Sequence, residues 1–292
     1  MDALTLLQHA LNLIENSVLY SLIAIGFYLV SIAARHFAFA ASSGFIIAPY
    51  IAFISPEGYW RVVTGLAGLG ACAILGRLYS QFSLFAERRG AGEGELLIIS
   101  LAIMGIVESI VTIFFGSSSL SLLPFGAYGP ITIGDIAIPT ERLVVIILGL
   151  TVLAILVRSW YRSLGGIMLR GLIESPMNLA LRGYPVRKIE SAGSSVGFAL
   201  IGLAGLFGAV DGRVKPAMCI EIGVVGAVIF IVANIVGAGP KRIILASFWL
   251  AFIRLILSLA LEGNWSMTAV MFLLAGTLLH TLQAAVRHEI DS

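Results

Sequence analysis

The chain has 292 residues, of which 59% are hydrophobic and only 12% charged, with a mean hydropathy of +1.02 and a formal net charge of +2. Soluble domains carry about 25% charged residues, so this composition excludes an ordinary soluble domain and points to a polytopic membrane protein in a lipid bilayer. The small net charge gives no footprint for nucleic acid, and two cysteines, Cys72 and Cys219, sit inside apolar runs as buried small hydrophobes rather than as a disulfide framework.

In chain order, Asp2–Glu15 is weakly amphipathic and is predicted to lie along the membrane surface. Met1–Ala34 contains no Lys or Arg, so the basic start of a secretory leader is missing. Nine apolar segments follow: Ser17–Ala34, Phe37–Ile54, Val62–Phe82, Leu96–Phe115, Leu143–Val157, Ser191–Val210, Ala217–Val236, Ile243–Leu261 and Met267–Ala285. The expected fold is an all-α transmembrane bundle of about eight or nine spans forming a single domain over residues 1–292. Two segments contain breakers or small polar residues: Ser42, Ser43, Gly44 and Pro49 in Phe37–Ile54, and Gly223, Gly226 and Asn234 in Ala217–Val236. Irregular backbone is tolerated at membrane depth only against protein or water, so these two are expected to be broken or re-entrant and to line a path.

The longest polar connection, Gly116–Arg142, combines Ser, Gly and Pro with two short alternating runs and reads as an ordered loop or small hairpin. It is either a docking surface or a cover for helix ends. A second polar stretch, Leu169–Val186, carries local helix signals within a loop spanning 159–190. Ser175 suits an N-cap, Pro176 the first helical position, and Gly183 the left-handed residue past a helix end. The two turns between, Met177–Arg182, are too short to be stable alone. Leu172, Ile173, Met177 and Leu179 are expected to be exposed there and to ask for a groove on a partner.

Placing this stretch in the cytoplasm and crossing once per segment leaves only Arg61, Arg142, Arg213 and Lys215 outside. Arg254 falls within a span, and the rest of the 18 basic residues lie inside. The N-terminus is thus expected outside and the C-terminus inside. Two charges fall mid-span, Glu108 and Arg254, and are expected to pair with each other, with Glu108 also a candidate for the solute path. Glu221 is expected to answer Arg213 and Lys215. His9, His36, His280 and His288 stand at no metal-ligand spacing, no Walker A sequence is present, and Ser117–Ser119 have no activating base nearby. Neither an enzyme nor a metal or cofactor site is expected in the chain.

The same polar stretch resembles the cytoplasmic coupling loop of bacterial ATP-binding-cassette import permeases, specifically the branched-chain amino acid permease family. Leu169, Arg170, Pro176, Leu179 and Gly183 fall at matching or equivalent positions, with Glu174 and Ser175 before the proline and Met177 after it. Phe198–Leu206 is similar to the family's F-A-L-x-x-x-L-A-G-L run, Ser21–Gly26 to its S-L-I-A-L-G opening, and Ala86–Arg89 to the basic stretch after its third span. The chain departs from the family at Ala38–Ser42, where N-F-A-H-G stands in the pattern, and at Ala233–Pro240, where the glycine-rich turn is replaced.

The resemblance implies a permease subunit in a bacterial inner membrane, working by alternating access. It would be paired with a second, identical or related permease subunit, with two ATPase subunits that hold ATP and Mg, and with a periplasmic solute-binding protein. It implies that Leu169–Val186 inserts into the ATPase, and that the solute is an amino acid, with urea, another amide or a different small metabolite as alternatives. Ser42, Ser43, Gly44 and Asn234, then Glu108, are the expected path residues. Two rivals stay open on the residues alone: an ion-coupled carrier or channel acting without an ATPase, and a membrane scaffold.

Overall fold

The first helix, α1 (Ala3–Ala34), contains no proline and a single charge, Glu15, and runs unbroken for 32 residues. At 1.5 Å per residue it is about 48 Å long, more than the roughly 30 Å hydrocarbon core of a bilayer. The computed structural model describes residues 3–260 except 57, 123–130, 134, 135, 139, 211, 213, 237 and 238. The sequence places Asp2–Glu15 along the surface; instead Ala3–Glu15 continues straight into the span. Nothing there breaks the helix, and Glu15 is buried against Arg142 at 3.0 Å rather than turned to water.

After α1 come a 3-10 turn at Phe39–Ser43, α2 (Gly44–Phe53), α3 (Tyr59–Arg88), α4 (Glu93–Phe115), a hairpin of β1 (Ile131–Ile133) and β2 (Ile136–Ile138), and α5 (Thr140–Arg162). Then follow α6 (Leu164–Glu174), α7 (Pro176–Leu181), α8 (Val186–Val210), a 3-10 turn at Pro216–Met218, α9 (Cys219–Val236) and α10 (Pro240–Ala260). Among the described residues seven helices (α1, α3, α4, α5, α8, α9 and α10) are long and apolar enough to cross a bilayer. The protein is therefore an all-α, polytopic transmembrane bundle. The ninth apolar segment, Met267–Ala285, lies outside the described residues, as do His280 and His288.

Phe37–Ile54 is broken as its composition predicts. Ten residues of α2, with Pro49 inside, reach about 15 Å, half the depth of the hydrocarbon core. Ala217–Val236 is not broken: α9 is a continuous helix from Cys219. Its glycines serve packing, since a Cβ at Gly223 would meet the ring of Phe39 at 2.8 Å, and Gly226 lies against Phe27.

α1 is the mast of the bundle. Its most apolar window is 83% buried, against 22–28% for α3, α4, α5 and α10, which leave most of their surface for lipid. α1 packs against α8, α9, α10 and α5, while the half-depth α2 wedges between α3 and α8. The α1–α8 crossing is close because both helices carry glycine at the contact. A Cβ at Gly197 would lie 2.6 Å from the Gly26 carbonyl oxygen, and one at Gly26 2.8 Å from that of Gly197. Without a hydrophobic drive between helices in lipid, such small-residue contacts supply the association.

The connection after α4 is tied down at the opposite end from α7. Leu120 N–H donates to the Val214 carbonyl and Leu122 N–H to the Ala209 carbonyl, both at 2.7 Å. The hairpin pairs Ile131 with Ile138, Thr132 with Ala137 and Ile133 with Ile136.

Candidate functional site

At the α7 end, local chemistry sets each turn. Ser163 closes α5 and caps α6, its Oγ accepting from Gly166 N–H at 3.1 Å. Ser175 ends α6 in extended backbone (φ −164°, ψ 103°), and its Oγ accepts from Asn178 N–H at 3.2 Å to start α7. Pro176 occupies the first turn, where a missing N–H removes nothing from the helix. Gly183 follows the C-cap at φ +81° and returns its N–H to the Ala180 carbonyl at 2.9 Å.

α7 is anchored through one face. Leu179 packs with Leu172 of α6 and Ile189 of α8, supported by Ile32, Met168, Leu169 and Val186. Leu172 and Leu179, expected to be exposed, are therefore buried: they are the side chains that hold the short helix down. Ile173 and Met177 are exposed as expected, and the free apolar surface also includes Leu181 at 75% and Tyr184. Glu174 and Arg182 are exposed and flank this surface, while Arg170 lies half-buried over the Tyr161 ring at 5.9 Å. Lys241 reaches the same ring at 5.1 Å, bringing the start of α10 to this end of the bundle.

Below α7 lies a polar cluster. Arg35 terminates α1 at φ +60° and donates from Nη2 to Glu190 Oε1 at 2.7 Å; Glu190 is 1% exposed. Next to it, His36 Nδ1 lies 2.7 Å from the Ala34 carbonyl and Nε2 2.7 Å from the Tyr79 hydroxyl. A carbonyl only accepts, so Nδ1 carries the proton, and in the neutral ring Nε2 accepts from the tyrosine hydroxyl. Burial is the largest influence on its pKa and lowers it below the ordinary 6.5, outweighing the Ala34 carbonyl bond and the Coulomb influence of Glu87 and Glu93, which act upward.

At the opposite end, between α1, α9 and α10, is a cavity of about 400 Å³. His9, Asn12, Asn16, Tyr20, Glu221, Arg254 and Ser258 supply its polar lining. Arg254 donates to the Tyr20 hydroxyl and faces Glu221 at 3.9 Å, each about a third exposed. The anticipated Glu108–Arg254 pair does not form. Arg254 projects from α10 towards α1 and α9, while Glu108 sits on peripheral α4, which meets the Pro216–Met218 turn instead. One Glu108 carboxylate oxygen is buried with no hydrogen-bond partner among the described residues. Glu221 faces Arg254; among the described residues it makes no salt bridge with Lys215, and Arg213 lies outside them.

Of the other anticipated path residues, Ser42, Ser43 and Gly44 lie at helix contacts. Ser42 and Ser43 are fully buried, and their hydroxyls donate to the Phe39 and Ala40 carbonyls at 2.7 and 2.6 Å. Gly44 makes room for α8: a Cβ there would be 2.8 Å from the Phe198 carbonyl oxygen. None of the three lines the cavity. Asn234 falls in the last turn of α9, and its side chain lies outside the described part of the structure. Asn12, Asn16 and Tyr20, which do line the cavity, recur at four-residue intervals on one face of α1. That polar stripe inside an apolar helix is the signal by which the sequence betrays them.

No family model, no curated protein and no solved structure matches the chain. Among the described residues no group of three or more His, Cys, Asp or Glu side chains could hold a metal ion.

Proposed function

We propose that this chain is the membrane-spanning subunit of an ATP-driven importer for a small polar solute, with an amino acid as the leading candidate. The observation that carries the reading is the mounting of α7. It is a two-turn helix capped at both ends and pinned to α6 and α8 by Leu179, and it presents Met177 and Leu181 to solvent. A short helix fixed on one face and apolar on the other suits insertion into a groove of a partner, and its rigid mounting lets partner movement reach α8 and α1.

In this reading the partners are two ATPase subunits, which bind ATP and Mg, a second permease subunit and an external solute-binding protein. The chain itself hydrolyses nothing. The cavity between α1, α9 and α10 supports the solute class: it offers a cation, an anion and amide groups together, as a zwitterion requires. Urea and other amides could bond the same amide groups but carry no charge for Arg254 and Glu221.

The test is co-purification with the ATPase, followed by uptake into proteoliposomes. Met177→Asp with Leu181→Asp should weaken ATPase association by about tenfold or more, because two apolar contacts are lost on docking. ATP-dependent uptake should fall with it, at normal protein levels. Uptake by the purified chain alone, driven by an ion gradient, would overturn the reading in favour of a self-contained carrier.

A further inference from the structure

At the α7 end a cleft of about 650 Å³ opens between the last turns of α3 and the first turns of α8. Four cations line it, Arg77 and Arg88 from α3 and Arg187 and Lys188 from α8, and no carboxylate does. None of the four makes a salt bridge among the described residues, and all are exposed. The adjoining acid, Glu190, is buried and engaged by Arg35. The cleft also contains the N-terminal turns of α8, where the positive end of the helix dipole lies, together with the hydroxyls of Ser80 and Ser191.

We propose that this cleft binds the phosphate headgroup of an anionic phospholipid. Charge complementarity supplies the anion: four cations and no carboxylate line the cleft, so a phosphodiester there meets only positive side-chain charge, and basic pockets between spans suit such headgroups. The neighbouring surface favours a lipid over a free phosphate. Leu78, Phe82 and Phe85 follow one another up one side of α3, all exposed, and Phe85 both lines the cleft and carries Arg89 over its ring at 4.4 Å. Val196 extends the apolar surface on α8. Acyl chains running from the cleft along that strip would cover it, which a soluble anion would leave bare. The site is distinct from the α1–α9–α10 cavity and does not depend on the importer reading.

The test uses the full chain in neutral detergent. Phosphatidylglycerol, phosphatidylcholine and inorganic phosphate are added separately, and bound lipid is counted by native mass spectrometry alongside thermal unfolding. Phosphatidylglycerol should form a one-to-one adduct and raise the unfolding temperature, while phosphatidylcholine and inorganic phosphate should do neither. Arg88→Gln and Lys188→Gln should each weaken phosphatidylglycerol binding about fivefold, whereas Arg162→Gln, outside the cleft, should not. Equal retention of the two lipids by the unsubstituted chain would overturn the proposal, as would unchanged binding in both cleft variants. Stabilisation by inorganic phosphate equal to that by phosphatidylglycerol would overturn the lipid assignment and leave a free-anion site.

Discussion

His36 sits where α1 ends, buried between the Ala34 carbonyl and the Tyr79 hydroxyl. A neutral ring accepts from the Tyr79 hydroxyl, and a protonated ring donates to it, so the penalty on the charged form comes from burial. In the unfolded chain the ring titrates near 6.5, and in the folded chain lower, chiefly because it is buried. The unfolded state therefore takes up a proton that the folded state refuses as pH drops below about 6.5. His36 leaves stability undiminished above that pH and lowers it as pH falls towards the folded value. Thermal unfolding in detergent between pH 8 and pH 5 should show this slope, and His36→Gln should flatten part of it. A variant as pH-sensitive as the parent would contradict the assignment. None of this was visible in the sequence, where His36 was one of four scattered histidines; its partner Tyr79 lies 43 residues away on another helix.

At the scale of elements, legibility followed the range of the interaction. Ser175, Pro176 and Gly183 act on backbone groups within three residues, and α7 forms between them as their spacing predicts. Which side of α7 faces protein depends on α6 and α8, so the local pattern cannot single out Leu179 and Leu172 as its buried anchors. The same limit explains Arg254. Hydropathy located the charge within a span, but only the packing of α10 beside α1 and α9 selects Glu221 and Tyr20 over Glu108. The α1–α8 crossing gives a sharper test of packing. Gly197→Leu forces a side chain into the Gly26 backbone and should destabilise the bundle by about 2–3 kcal/mol, read as a fall in unfolding temperature. Gly70→Leu, with open space around it, should leave that temperature nearly unchanged. Equal effects would mean that the crossing is looser than described.

At the scale of the whole molecule, most of the basic side chains among the described residues crowd one end of the bundle. Arg35, Arg77, Arg88, Arg170, Arg187, Lys188 and Lys241 gather around α6, α7 and the start of α8, whereas Arg142 joins Glu15 at the far end beside Asn12. By the positive-inside rule such an asymmetry predicts that the α7 end faces the cytoplasm. Importer coupling requires α7 on that side, where an ATPase can reach it. The most direct measurement is labelling of Arg182→Cys with a membrane-impermeant maleimide; Arg182 is exposed, and the native Cys72 and Cys219 are buried. The account predicts labelling in inside-out vesicles and none in intact cells, and labelling from outside intact cells would contradict it.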